Sequence, residues 1–173
     1  MNVYEDLRDK VYDSLFAIFP TTPLVNAYSN GPEEASPYIV FDLSNIKQEG
    51  QEYVSTHSDV FGTQQIVQTF TFRLRLEFVG EGDDFTAASL AEEFYRIIDY
   101  TPTNELFQRN GMSYFRKSSI RKVPKKRETD WWMFYQVDLY FGYQVEARQD
   151  VGAIESVEIE GDYGHFQQTI QIP

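Results

Sequence analysis

Two long stretches of alternating apolar and polar residues dominate this chain. The first covers Gln68–Val79 and the second covers Trp131–Val145. Phe70, Phe72, Leu74, Leu76 and Phe78 share one face of the first stretch, and Met133, Tyr135, Val137, Leu139, Phe141 and Tyr143 share one face of the second. Period-two alternation of this length is typical of antiparallel strands with one face on a hydrophobic core. The pattern therefore predicts a sheet with one apolar face.

Two segments with helical spacing of apolar residues are predicted to cover that face. The first is Asn2–Phe19, which Asn2 is expected to cap. The second is expected to begin at a cap provided by Asp83 or Asp84 and to run to about Asp99. Together these segments predict an α+β fold, in which a mostly antiparallel β-sheet is packed by an N-terminal helix and a central helix.

The remaining elements are predicted from shorter patterns. Tyr38–Leu43 indicates a short strand, and Thr101–Asn104 is expected to end the central helix. Met112–Val123 predicts one further strand, which the basic turn Pro124–Thr129 joins to the strand beginning at Trp131. Gly142 suggests a bulge or a close backbone approach within that strand. Shorter strand patterns occur at Ile154–Glu160 and Thr169–Ile172.

The chain is expected to form a single domain over residues 1–173. Ser44–Gln65 is polar and poor in large apolar groups, and it predicts either a mobile loop or a long hairpin extension that orders on contact with a partner. Residues 161–173 are expected to form a C-terminal extension. No apolar run approaches the roughly 20 residues that span a bilayer.

Charge is distributed unevenly along the chain. The formal net charge is −12, yet the segment from Leu106 to Arg127 contains eight basic residues and no acidic one. The rest of the chain contains seven basic residues and all 27 acidic ones. A protein with a basic segment in an otherwise acidic chain is suited to docking against partners of complementary charge.

The sequence contains no constellation that indicates catalysis, a metal site or a cofactor. Cysteine is absent, and the two histidines, His57 and His165, are far apart in the sequence and have polar neighbours. The turn Gly80–Asp84 lacks the lysine and the glycine spacing of a phosphate loop, and its carboxylates would repel phosphate. We therefore expect neither an enzyme nor a cofactor or metal-ion site.

The basic segment is the charge cluster with the clearest functional implication. The candidate partner-contact residues are Arg116, Lys117, Arg121, Lys122, Lys125, Lys126 and Arg127. Nearby aromatic residues permit a nucleic-acid interface, but a sequence pI of about 4.5 is unusual for a dedicated nucleic-acid-binding protein. The pattern favours protein–protein docking, and a DNA-binding accessory factor that uses residues 109–127 is the alternative.

The order of these elements resembles that of the neck and tail terminator proteins of contractile-tailed bacteriophages. Pro37–Phe41 resembles the first strand of that family, and Thr71–Gly80 resembles its strand that ends in an aromatic-X-Gly turn. Asp130–Leu139 resembles its strand with an early tryptophan, and Ile154–Ile159 resembles its closing strand. The likeness covers most of residues 1–161 and rests on pattern and order.

The resemblance implies a structural virion protein at the neck, at the head-proximal end of the tail. It implies a ring, commonly a homohexamer, that is assembled in the host cytoplasm, caps the tail tube and joins it to the head-side connector. The implied partners are the tail tube protein, the connector or collar protein and, as a further candidate, the sheath protein, with DNA passing through the channel without specific binding. Another head–tail connector or tail-completion ring is the alternative within the same particle.

Overall fold

The computed structural model describes residues 3–29, 34–55, 63–82, 85–127, 129–150, 156–157 and 170–171. The three helices in these ranges are α1 (Val3–Ile18), α2 (Thr86–Ile97) and α3 (Thr101–Arg109). The strands are β1 (Leu24–Asn26), β2 (Tyr38–Ser55), β3 (Thr63–Glu81), β4 (Met112–Lys117), β5 (Arg121–Arg127), β6 (Asp130–Asp150), β7 (Ser156–Val157) and β8 (Ile170–Gln171). The predicted α+β class is confirmed.

Strands β1 to β6 form a mostly antiparallel six-stranded sheet. Its order is β1-β2-β3-β6-β4, and β5 also pairs with β6. The short strand β1 lies parallel to β2, with Leu24 opposite Ile39. Strand β6 pairs antiparallel with β4 through Leu139–Tyr143 and with β5 through Asp130–Gln136, so β4 and β5 follow one another along it. Sequence patterns did not predict β1, whose three residues are too few to show alternation.

The alternation predicted for the two long strands is confirmed. Their core-facing side chains at Phe72, Leu74, Leu76 and Phe78 in β3 and at Val137, Leu139, Phe141 and Tyr143 in β6 are all buried. The buried stripe of α1, which includes Leu7, Val11 and Leu15, packs into the same core. In α2, Phe94 is fully buried and its ring lies 5.6 Å from that of Phe19. We refer to this side of the sheet as the helix side and to the other side as the open side.

Several predicted boundaries were wrong. The predicted turn at Pro124–Thr129 is largely strand, because β5 continues through Arg127. The predicted strand Met112–Val123 is two strands, which Ser118–Ile120 separates. Thr101–Asn104 forms the first turn of α3. Pro102 is tolerated there because the N–H groups of the first helical turn have no partner within the helix, so the missing N–H of proline costs no hydrogen bond.

The two strands that flank the polar segment are longer than their apolar patterns indicated. Strand β2 continues from Tyr38 to Ser55, well beyond the predicted end at Leu43, and β3 begins at Thr63. Of the two predictions for Ser44–Gln65, a mobile loop or a long hairpin extension, the longer strands agree with the hairpin. Residues 56–62, between the two strands, lie outside the described ranges. Ordering of this segment by a partner stays a prediction. Asn2, Asp83 and Asp84, the predicted helix caps, also lie outside those ranges, and the residue at the cap position of α2 is Phe85.

The chain divides into two compact units. Residues 1–50 and 69–145 form the first, which contains the three helices, β1, β4, β5 and most of the core. Residues 51–68 and 146–173 form the second, in which β7 pairs antiparallel with β8. Strand β7 lies within the strand predicted at Ile154–Glu160, and β8 lies within the strand predicted at Thr169–Ile172. The other residues of these two predicted strands lie outside the described ranges.

Candidate functional site

The basic residues predicted to contact a partner lie on β4 and β5, at one edge of the sheet. Strand alternation divides them between its two sides. Arg121, Lys125 and Arg127 pair with residues 136, 132 and 130 of β6, on the open side. Lys122 and Lys126 pair with residues 135 and 131, on the helix side. The structure therefore separates cations that the sequence placed in one cluster.

Asp138 occupies the centre of the charged network on the open side. Its side chain is buried, and it accepts hydrogen bonds from Arg75 Nε at 2.8 Å and from Arg121 at 3.0 Å. These contacts connect β3, β6 and β5. The hydrogen bond to the Asp138 carboxylate is the main cause that raises the pKa of the Arg75 guanidinium. A buried carboxylate with two guanidinium partners fixes the relative positions of the three strands, since removing it would leave two cations unpaired.

Two further cations of β5 are also engaged within the chain. The Lys125 ammonium lies 3.8 Å from the Glu77 carboxylate and 4.1 Å from the centre of the Phe134 ring. Arg127 donates to the Tyr38 hydroxyl at 3.1 Å, and burial is the main cause that raises the pKa of that phenol. These contacts give Lys125 and Arg127 a structural role on the open side.

Lys117 has a structural role on the helix side. Its ammonium donates to the Tyr95 carbonyl oxygen and to the Asp99 carboxylate, and it lies 3.8 Å from the centre of the Tyr95 ring. Tyr114 also donates to Asp99, at 3.2 Å. Both contacts attach the end of α2 to β4. Burial is the main cause that raises the pKa of the Tyr114 phenol, and the negative charge of Asp99 adds to it.

Three of the seven candidate cations form neither a side-chain hydrogen bond nor an ion pair within the described part of the chain, and are therefore the best placed to meet a partner. Arg116 is exposed and its guanidinium lies 4.3 Å from the centre of the Tyr140 ring. Lys122 is exposed and lies 5.9 Å from the centre of the Tyr135 ring, and Lys126 is exposed. Within the described ranges, neither lysine forms an ion pair. These residues make the edge formed by β4 and β5 a basic surface.

A concave region of about 780 Å³ lies on the open side between this edge and β1. Its walls combine aromatic and charged groups, including Tyr28, Tyr38, Arg75, Glu77, Arg127 and Trp132. The carboxylate of Glu77 is already paired, and it accepts a hydrogen bond from Gln136. Among the described residues there is no group of three acidic or histidine side chains arranged to hold a metal ion. His57 and His165 lie outside the described residues.

No helix in the described part of the chain is long and apolar enough to cross a membrane. Gly142 is a point of close approach, but a side chain makes the approach and not the predicted backbone: a Cβ atom there would be 2.7 Å from the Phe115 ring. The paired register of β4 also shifts between Tyr114 and Arg116. Phe115, which lies at this shift and precedes Arg116, is 60% exposed.

The sequence profile of phage neck terminator proteins matches residues 3–166, nearly the whole chain. The chain belongs to this family. A search among curated proteins gave no match. The family resemblance noted in the order of the elements is thus confirmed, and it assigns the chain to the structural proteins of the phage neck. Membership of this family implies association with other proteins of the phage head or tail, within the virion.

Sequence patterns identified the basic residues of this neck protein but not their internal partners. Asp138 and Glu77 alternate with the apolar positions of the two long strand patterns, so spacing places them only on the face opposite the core. A carboxylate in the middle of a strand rich in aromatic residues was a signal for a charged network, because an unpaired charge is rarely buried. Its guanidinium partners follow only from the strand order β3-β6-β5.

Proposed function

We propose that this chain is a neck terminator that forms a ring, caps the tail tube and joins it to the head-side connector. Family membership over residues 3–166 is the observation that carries the proposal. The ring is a homohexamer, and the tube protein, the connector or collar protein and the sheath protein are its neighbours in the virion. The excess of acidic residues suits a channel wall, since phosphates are retained by cationic walls and slide past acidic ones.

The basic surface formed by β4 and β5 supports docking to protein more than docking to DNA. Of the seven candidate cations, Lys117, Arg121, Lys125 and Arg127 already form hydrogen bonds or ion pairs with side chains of their own chain. Phosphate binding depends on the number of free cations that displace counterions, and this engagement lowers that number. Exposed Lys122 and Lys126 are instead placed to attract an acidic protein neighbour.

Electron microscopy of the protein mixed with purified tail tubes tests the proposal. A terminator binds as a closed ring at one end of the tube, the end that meets the head. Native mass spectrometry of the complex then counts the copies in that ring. Binding along the whole tube, or as an isolated particle without cyclic symmetry, would contradict the proposal.

Measuring binding to duplex DNA at several salt concentrations distinguishes a DNA-binding accessory factor from a neck terminator. Such a factor would bind DNA in the absence of tails, with an affinity that falls steeply as salt is raised. We expect no such binding at physiological ionic strength. Binding at the tube end that persists at the same salt concentration would separate the two functions.

A further inference from the structure

The first compact unit carries acidic residues on α1, beside one edge of its sheet, and basic residues on the strands at the opposite edge. Strand β1 forms one edge, next to α1, and β4 and β5 form the other. Four strand-to-strand steps of about 4.8 Å separate them by roughly 19 Å. The two edges are therefore too far apart to neutralise each other within one copy.

Helix α1, beside β1, presents a surface of acidic residues and exposed aromatic rings, which we call the α1 surface: Glu5, Asp9, Tyr12, Asp13, Phe16 and Tyr28. Arg8 lies 2.9 Å from the Asp9 carboxylate and neutralises part of its charge, so the surface keeps a smaller negative excess to which Glu5 and Asp13 contribute. Tyr12 is 41% exposed and Phe16 is 50% exposed, and their rings stack with centres 6.2 Å apart. Tyr28 is 77% exposed and lines the same notch as Tyr12. Aromatic groups that cluster at a surface, rimmed by charge, are typical of protein contacts.

The other edge has a basic surface on the helix side, which we call the β5 surface: Lys122, Pro124, Lys126 and Trp131. Trp131 is 55% exposed and lies opposite Lys126 in the pairing of β5 with β6. Pro124 lacks an N–H, and a proline with lysines on an edge strand disfavours pairing with a foreign strand. A partner is therefore expected to contact this edge through side chains.

Both surfaces lie on the same side of the sheet. The buried stripe of α1 packs on the core that includes Val137 and Leu139. Lys122 and Lys126 pair with residues 135 and 131, which alternation places on the same side as 137 and 139. Two copies set side by side in one orientation would thus bring the β5 surface of one against the α1 surface of the next.

We infer that the β5 surface binds the α1 surface of a second copy of this chain. The inference rests on the proposed ring, whose copy-to-copy contact it assigns to named residues. Because the two surfaces differ, the contact is heterologous, and repeating it about an axis closes a ring. Trp131, Tyr12 and Phe16 supply its apolar centre, and the lysines face Asp9 and Asp13 at its rim.

A charge exchange tests this contact. One variant reverses the basic edge (Lys122→Glu with Lys126→Glu), a second reverses the acidic edge (Asp9→Lys with Asp13→Lys), and a third combines all four changes. Copy number and association are measured by native mass spectrometry and sedimentation, on the protein alone and on tail tubes. The self-association constant of each double variant is expected to fall about tenfold. The variant with all four changes is expected to recover it.

The matched control reverses two exposed acids elsewhere, Glu92→Lys with Glu93→Lys on α2. It is expected to associate like the unmodified protein. If the double variants lost association and the variant with all four changes did not recover it, the inference would be overturned. Unchanged self-association with weaker tube binding would overturn it too, and would leave the terminator function standing. If the unmodified protein formed no ring even on tubes, both proposals would fall.

A disulfide test is independent of electrostatics. The chain has no cysteine, so any disulfide in a variant must join engineered residues. Asp13→Cys combined with Lys126→Cys is expected to give a ladder of covalent oligomers under mild oxidation on tail tubes. Each single variant is expected to form no covalent oligomer, because a disulfide between the two different surfaces needs both cysteines. A covalent dimer of either single variant would indicate a contact between identical surfaces and would overturn the inference.

Discussion

Arg75 Nε donates to the Asp138 carboxylate across 2.8 Å, from β3 to its neighbour β6. Arg121 reaches the same carboxylate from the other side, on β5. One buried charge thus connects β3 with β5 and β6, two consecutive strands that follow β3 at a distance in the sequence. The contact explains how an edge strand as basic as β5 is held in the sheet, since part of its charge is neutralised internally.

Replacing Asp138 with Asn should destabilise the fold. The amide retains the shape of the side chain but removes the charge that Arg75 and Arg121 share, and the expected loss in free energy of unfolding is about 1.5–3 kcal/mol. Urea unfolding measures it. Asp130→Asn is the control, because Asp130 is exposed and a surface change of this kind usually stays within about 0.5 kcal/mol. Equal stability of the two variants would contradict the role of Asp138.

The packing of α2 on the sheet gives a second prediction. The Phe94 ring is fully buried, 5.6 Å from the ring of Phe19 and 5.9 Å from that of Phe78. Phe94→Ala should cost about 3–5 kcal/mol in free energy of unfolding, because it removes buried contacts and leaves a cavity. Phe85→Ala, at a ring that is 77% exposed, is the matched control. A loss below about 1 kcal/mol for Phe94→Ala would show that α2 is not packed as described.

A cluster of Asp6, Lys10 and Tyr143 predicts a pH dependence. Lys10 donates to the Tyr143 hydroxyl at 2.6 Å and to Asp6 at 3.0 Å, and the hydroxyl donates to Asp6. Burial alone would raise the pKa of Asp6, but the hydrogen bonds from Tyr143 and Lys10 outweigh it and lower the pKa below its ordinary value of 3.8. Because the folded pKa is lowered, the charged carboxylate stabilises the fold above pH 3.8, and this contribution is lost as the pH falls through the folded pKa.

Asp6→Asn isolates that contribution. The unmodified protein should be more stable than the variant at pH 7, and the difference should shrink steadily as the pH is lowered below about 4. Chemical unfolding of both proteins at a series of pH values gives the difference. Asp13→Asn, at an exposed position of the same helix, controls for the general effect of removing an acid. A difference that did not change with pH would assign the effect of Asp6→Asn to shape or packing.

Sequence patterns predicted the parts of this fold that depend on local periodicity. The apolar faces of β3, β6 and α1 follow from spacing alone, and so does the core they form. The boundary at Pro124 was wrong because proline and a run of cations are typical of turns, whereas an edge strand tolerates both. The pairing of Asp138 with Arg75 and Arg121 depends on strand order, which local spacing does not contain.

The last prediction concerns the joining of heads to tails. Lys122 and Lys126 can be reversed with little effect on the fold, because they are exposed and form no ion pair within the described ranges. Reversal at Lys125 or Arg127 is less informative, since it would also break contacts to Glu77 or Tyr38. If the basic edge faces a neighbouring protein, phage carrying Lys122→Glu with Lys126→Glu should accumulate separate heads and tails, with infectious titre reduced at least tenfold. The folded state of the purified variant is checked by its unfolding midpoint. Particles that assembled normally but ejected DNA at an altered rate would place these lysines in the DNA channel, because cations lining a channel retain passing phosphates.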